Sequence, residues 1–279
     1  MSLIIGIDIG GSTTKIVGFD DHQLKIPTFV KASHPIASLF GAFGKFIYDN
    51  EIQLQDISKI MITGVGSAYV EQPIYGIPTF KVDEFTCNGL GGQYFTGLKR
   101  LIVVSMGTGT SFVQVKEDSI IHTGGIGVGG GTITGLSGLL LKTQEINKIM
   151  DLASRGDLSH IDLQIKDISK VPLPGLPLDA TASNFGKVKS SASEEDLAIG
   201  IINMVLQAIG KSAILSSLNS GINHFVMIGN LARFPQCKGI FESLESMFDV
   251  HFIIPQLAEY GTAIGAALTE TYGFSQSPI

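Results

Sequence analysis

Residues 6–15 read GIDIGGSTTK, so that Asp8 stands between an apolar run and the pair Gly10-Gly11, followed by Ser12, Thr13 and Lys15. Flanked by the strand-like Leu3-Ile4-Ile5 and Ile16-Val17, the segment predicts a tight hairpin whose bare backbone can approach a ligand closely. The theme returns. LIVVSMGTGTSFVQV (101–115) sets Gly107, Thr108, Gly109, Thr110 and Ser111 between two apolar strands, and HFVMIGN (224–230) ends in Gly229-Asn230. GGIGVGGGTITGL (124–136) places Gly124, Gly125, Gly127, Gly129, Gly130 and Gly131 ahead of a helical pattern, where the N-terminal N–H groups are expected to be unpaired. Unshielded amides bind anions, and hydroxyls and a lysine beside them suit phosphate. The combined set points to the phosphates of a nucleotide.

Two familiar phosphate signatures fail. No GxxxxGK[ST] occurs. Gly125 to Gly130 match GxGxxG and Glu145 lies 20 residues after Gly125, but Glu145 falls inside a pattern of helical spacing over Leu139 to Ala153 instead of ending a second strand.

The bends need elements to hold them. A hairpin is expected over 3–9 and 13–20, a helix over Ile36 to Asn50, a strand over Ile57 to Thr63 ending at Gly64, and a helix over Asn88 to Leu98. Ser193 with Asp196 has the form of a capping box for a long helix, Leu197 to Leu218, and EYGTAIGAAL (259–268) reads as a glycine-started helix of small residues. VPLPGLP (171–177) reads as a surface excursion. Because strand, glycine bend, strand recurs about 100 residues on, two related α/β domains facing each other across a cleft are expected, over 1–86 and 87–279.

With 279 residues, 44% hydrophobic and 16% charged, the chain has enough apolar surface for a large core or two moderate ones. A net charge of −6 and scattered basic residues argue against a nucleic-acid partner. Asn203, Gln207 and Lys211 interrupt the apolar run Ala198 to Leu215, which reads as a buried helix, not a membrane span. The first residues enter a strand with no charged leader pattern, and two cysteines, Cys87 and Cys237, suit a reducing compartment; a cytoplasmic location is expected.

In GIDIGGSTTK, MGTGTS, VMIGN and GTAIGAAL the chain resembles the phosphate and adenosine loops of the acetate and sugar kinase, heat-shock chaperone and actin superfamily. Within it, the ordered set VDEF (82–85), GTGTS (107–111), GGIGVGGGTITGL (124–136), ATASNFGK (180–187) and IGNLARF (228–234) is similar to the type II pantothenate kinases. The resemblance implies an α/β, two-domain actin-like ATPase fold (ribonuclease H-like) with the nucleotide in the cleft between domains. It implies ATP and Mg²⁺ as cofactors, Glu84 as general base toward the pantothenate hydroxyl, and Asp8 placing Mg²⁺ directly or through water. Asp83 competes with Glu84 for the base, and Lys15 is either a charge on the phosphates or an exposed strand lysine. Substrate contacts are implied at Glu84, Ser105, His122, Gly124 and Gly125. The resemblance leads one to expect arginine at position 122, against the substrate carboxylate; His122 lacks that bidentate fork. A homodimer built on the helix 197–218 is implied too. Two other readings compete: a sugar kinase such as one for N-acetylglucosamine, and an ATP-driven iron–sulfur activator of a dehydratase, for which Cys87 and Cys237 would be the only cysteine ligands.

Overall fold

The computed structural model describes residues 3–20, 23–25, 27–31, 34–117, 119–171 and 174–279; Pro172 and Leu173 of the proline-rich excursion lie outside them. The first sheet starts from the expected hairpin, β1 (Leu3–Ile9) and β2 (Thr13–Asp20), whose register sets Asp8 opposite Lys15. β3 (Gln23–Leu24) and β4 (Thr28–Lys31) pair with β2. After α1 (Pro35–Asp49), β5 (Ile57–Thr63) joins β1 in parallel and β6 (Thr79–Lys81) joins β5. Leu39, Ala42, Phe43 and Phe46 of α1 are buried with Ile5, Ile7, Ile60 and Ile62, because the helix repeat puts them on one face and the strand repeat puts the isoleucines on the facing side.

α2 (Glu84–Thr96) leads to the second sheet. It begins earlier than the apolar pattern predicts because Asp83 caps it: its carboxylate accepts from the N–H of Thr86 at 2.7 Å and from the Thr86 hydroxyl at 2.8 Å. β7 (Arg100–Met106), β8 (Thr110–Lys116) and β9 (Ser119–Ile126) form a meander. The expected single helix over 139–153 is instead α3 (Gly130–Leu140) and α4 (Ile146–Ala153), since Lys142 takes a left-handed φ of 54° between them; Glu145 therefore stands just ahead of α4, with no side-chain cap bond.

β10 (Leu163–Gln164), α5 (Ile165–Ile168) and β11 (Thr181–Ser183) precede α6 (Glu194–Ser217), which starts at the expected Ser193/Asp196 capping box. α6 is long and apolar enough to cross a bilayer, yet Ile201, Ile202, Val205, Leu206 and Ile209 are buried in the main core with Val104 and Phe225. β12 (His224–Ile228) joins β7 in parallel, and after α7 (Gln236–Met247), β13 (His251–Ile253) joins β12.

The sequence boundary at 87 places everything downstream in the second unit, and the structure corrects this. α8 (Gly261–Leu268) buries Ala263, Ile264 and Ala267 with Val17 and Phe19 of the first sheet, and β14 (Ser277–Pro278) pairs with β6. The chain returns because β6 is otherwise an open edge and the apolar face of β2 needs a cover.

The ATASNFGK segment is organised by a carboxylate. Asp162, fully buried, accepts from the Thr181 hydroxyl at 2.9 Å, the Phe185 N–H at 2.9 Å and Asn203 Nδ2 of α6 at 2.8 Å. These donors hold Phe185 at a φ of 55°. Asp162→Ala removes their shared acceptor, leaving only the bond from Asn203 Nδ2 to Thr181 Oγ1, and is expected to lower unfolding stability by about 3 kcal/mol, read from a urea denaturation midpoint.

Candidate active site

Four glycine bends, separated by up to some two hundred residues of sequence, meet at one cavity of about 480 Å³. Its walls include Ser12 and Thr13 of the first bend, Gly107 and Thr108 of the second, Gly130 and Gly131 of the third, and Asn230 of the fourth. That volume suits a nucleotide-sized ligand. The two walls touch: Asn230 Nδ2 donates to Thr13 Oγ1 at 3.3 Å. The N–H groups of Gly11, Ser12, Thr108 and Gly109 have no backbone acceptor among the described residues, so they are available to an anion.

The third bend does something other than the sequence predicts. The N–H of Gly130 donates to the Gly107 carbonyl at 2.8 Å and that of Gly131 to the Thr108 carbonyl at 2.9 Å, while the Gly129 N–H donates to Thr132 Oγ1. Thr110, expected to offer its hydroxyl, is buried and donates it to the Val128 carbonyl at 2.8 Å. The α3 N-terminus is thus spent on fixing the second bend; it presents no unpaired first-turn amide at Gly130 or Gly131. Glycine is needed because a Cβ on Gly129 would stand 2.6 Å from the Thr108 carbonyl oxygen. Gly229 has a similar reason: with a φ of 94°, its Cβ would lie 2.6 Å from the Met106 carbonyl oxygen. Gly10 closes the first hairpin by donating to the Thr13 carbonyl, and Gly127 faces open space.

Two residues along β2 from the cavity-lining Thr13, at the ends of β1 and β5, lies a cluster of charge. Lys15 is only 5% exposed and its Nζ lies 3.4 Å from Asp8 Oδ2, so it is neither an exposed strand lysine nor a cation on the cavity wall. Asp8 Oδ1 packs on Gly64, where a Cβ would stand 2.7 Å away. Glu84 opens α2 beside this pair. Burial, then the neighbouring carboxylates of Asp8 and Asp83, raise its pKa to about 7, with Lys15 pulling the other way. Asp83 commits one carboxylate oxygen, Oδ2, to the helix cap, whereas both oxygens of Glu84 are left to a ligand.

The expected substrate residues lie on the neighbouring sheet. Ser105, Ser111 and Gly125 are register partners across β7, β8 and β9. A bulge between Phe112 and Val113, with Gly124 at a φ of 140°, turns the strand beside His122. The His122 ring stacks flat on Phe85, the residue after Glu84, with centroids 3.8 Å apart and planes 5° from parallel. Sequence reasoning missed Phe29 and Lys31, which line the cavity from an edge strand carrying no motif; Arg233, also on the wall, was visible only as part of IGNLARF.

A family profile described as Fumble matches residues 95–241. A type II pantothenate kinase of Bacillus cereus is 31% identical over 282 aligned positions, covering 97% of this chain and 100% of its own. The chain belongs to the type II pantothenate kinase family. A relative of the same name from Staphylococcus epidermidis is 29% identical, with 94% of this chain and 97% of its own aligned. The solved activator of the 2-hydroxyisocaproyl-CoA dehydratase from Clostridium difficile, with bound ADPNP, superposes with a TM-score of 0.70 at 14% identity over 97% of this chain and 96% of its own. A ROK family glucokinase from Streptomyces griseus, in complex with glucose and AMPPNP, gives 0.63 at 13% identity over 95% and 98%. Both likenesses show the α/β, two-domain actin-like fold that the resemblance implies. In this member of the family, position 122 carries an imidazole stacked on Phe85.

Proposed function

We propose that the protein transfers the γ-phosphoryl group of ATP to the primary hydroxyl of pantothenate, giving 4′-phosphopantothenate and ADP in the first step of coenzyme A synthesis. The observation that carries this is the pairing of a nucleotide-sized cleft, floored by free backbone amides, with a carboxylate of raised pKa beside it. Thr13 and Lys15 alternate along β2, so one face of that strand runs from the cavity wall to the Asp8–Lys15–Glu84 cluster. In the reaction the pantothenate oxygen attacks the γ-phosphorus, its proton passes to the Glu84 carboxylate, and the bond to the ADP oxygen breaks.

Asp8 fits a one-carboxylate Mg²⁺ site, since only its Oδ2 faces the Lys15 ammonium and Oδ1 is left for a metal-bound water. Mg²⁺ there would neutralise charge on the triphosphate. His122, beside Glu84, is the group we assign to the pantothenate carboxylate. A cytoplasmic homodimer suits two buried free thiols and the family; no nucleic-acid or membrane partner is invoked. Burial pushes both thiols up, Cys237 to about 12, which fits structural cysteines better than cluster ligands.

A coupled ADP-release assay with pantothenate, N-acetylglucosamine or no acceptor tests the reading. Pantothenate is expected to stimulate release most. Stimulation by the sugar alone would replace pantothenate kinase with sugar kinase, and stimulation by neither would end the kinase reading.

A further inference from the structure

We propose that Lys31 is the cation that receives the polyphosphate of the bound nucleotide, an assignment that rests on the ATP reading above. A triphosphate calls for positive charge on the cavity wall, and Lys15, buried against Asp8, is not among the residues that line it. The charged residues that line the cavity are Lys31, Arg233 and Glu145. Arg233 is already engaged, with its guanidinium 5.4 Å above the Phe29 ring and its Nε 3.7 Å from Glu259 Oε1. Lys31 has no carboxylate partner among the described residues.

Register places Lys31 at the phosphate end of the cavity. It is the strand partner of Thr13, which follows the Gly10-Gly11 bend and the free amides of Gly11 and Ser12. Along β4 the side chains alternate. Val30 turns to the α1 core, whereas Phe29 and Lys31 share the face that lines the cavity. Phe29 sits under Arg233 on the opposite wall, so Phe29 spans the lips of the cleft while Lys31, one strand repeat further toward Thr13, keeps its ammonium free. A flexible stem with a compact point charge suits successive phosphate positions better than a fixed fork does.

Calorimetric titration of the full chain with adenosine and with ADP, without acceptor, tests the assignment in Lys31→Met, Lys31→Arg and Arg233→Met. Lys31→Met is expected to weaken ADP about tenfold while leaving adenosine unchanged, and Lys31→Arg to retain ADP within about threefold. Wild-type uptake of ADP with no change in Lys31→Met overturns the assignment alone. So does an equal loss for adenosine and ADP, or an ADP-specific loss confined to Arg233→Met. Absence of ADP uptake by the wild type would remove the nucleotide reading itself and this assignment with it.

Discussion

Glu84→Gln is expected to lower kcat for pantothenate phosphorylation by about 10³-fold while leaving nucleotide binding intact, since a positioned general base contributes that order of rate. The glutamine keeps the shape of the side chain but cannot take the hydroxyl proton. The wild-type pH profile follows from the same carboxylate. With a pKa near 7, half of Glu84 is protonated at neutral pH in the free protein, so kcat/KM is expected to rise with pH through about 7 and then level. The variant's residual activity should lose that step. Stability should move the opposite way to activity. Glu84 ionises at about 7 folded against an ordinary 4.5. Below about 4.5 both states are protonated and nothing is lost. As pH rises from about 4.5 to 7 the unfolded chain ionises first, so the wild type loses stability relative to Glu84→Gln. Above 7 the difference is constant, at most about 3 kcal/mol and smaller where water reaches the carboxylate. Thermal melts at pH 4.5 and pH 8 would show it: a variant no more stable at pH 8 would mean Glu84 is not desolvated by its setting.

Much of this site was legible in the sequence because glycine bends and their hydroxyl neighbours are local features. The hairpin at Gly10-Gly11, the bend at Gly107 to Gly109 and the turn at Gly229 follow from chain composition within ten residues. Their convergence was legible only through recurrence and resemblance. What the sequence hid depends on partners distant along the chain. Gly130 and Gly131 read as open amides until the second bend, some twenty residues earlier, supplies their acceptors. Lys15 reads as a phosphate ligand or an exposed strand lysine until the register of β1 and β2 sets it, buried, against Asp8. Glu84 sits in a strand-like stretch, and only the Asp83 cap makes it the first residue of a helix. Lys31 belongs to a short edge strand with no signature. Asp162 carries no local hint that Thr181, Phe185 and Asn203 will all donate to it.

Gly265→Ala is expected to be among the most destabilising single-methyl additions in the chain, although glycine to alanine inside a helix ordinarily gains up to about 1 kcal/mol. Gly265 lies mid-helix in α8, and a Cβ there would overlap the backbone carbonyl of Cys87 in α2. Backbone cannot rotate aside as a side chain can. The neighbouring approaches are tight as well, though less so: a Cβ on Gly91 would overlap the Gly261 carbonyl, and one on Gly6 the Ala263 carbonyl. A buried bond from Thr262 Oγ1 to Asn88 Oδ1, 2.7 Å long, fixes the two helices in register. The methyl must therefore push α2 and α8 apart as rigid bodies, at an expected cost of about 3 kcal/mol or more, or a melting temperature lower by roughly 6–12 °C. Gly41→Ala in α1, where a Cβ meets open space, is the matched control and should gain up to about 1 kcal/mol. Because α2 begins at Glu84, the same displacement shifts the base relative to Asp8 and Lys15, so kcat should fall even at temperatures where Gly265→Ala stays folded. Equal melting of Gly265→Ala and Gly41→Ala would show that the α2–α8 contact yields, and the close approach of the two helices would then no longer account for the glycines along GTAIGAAL.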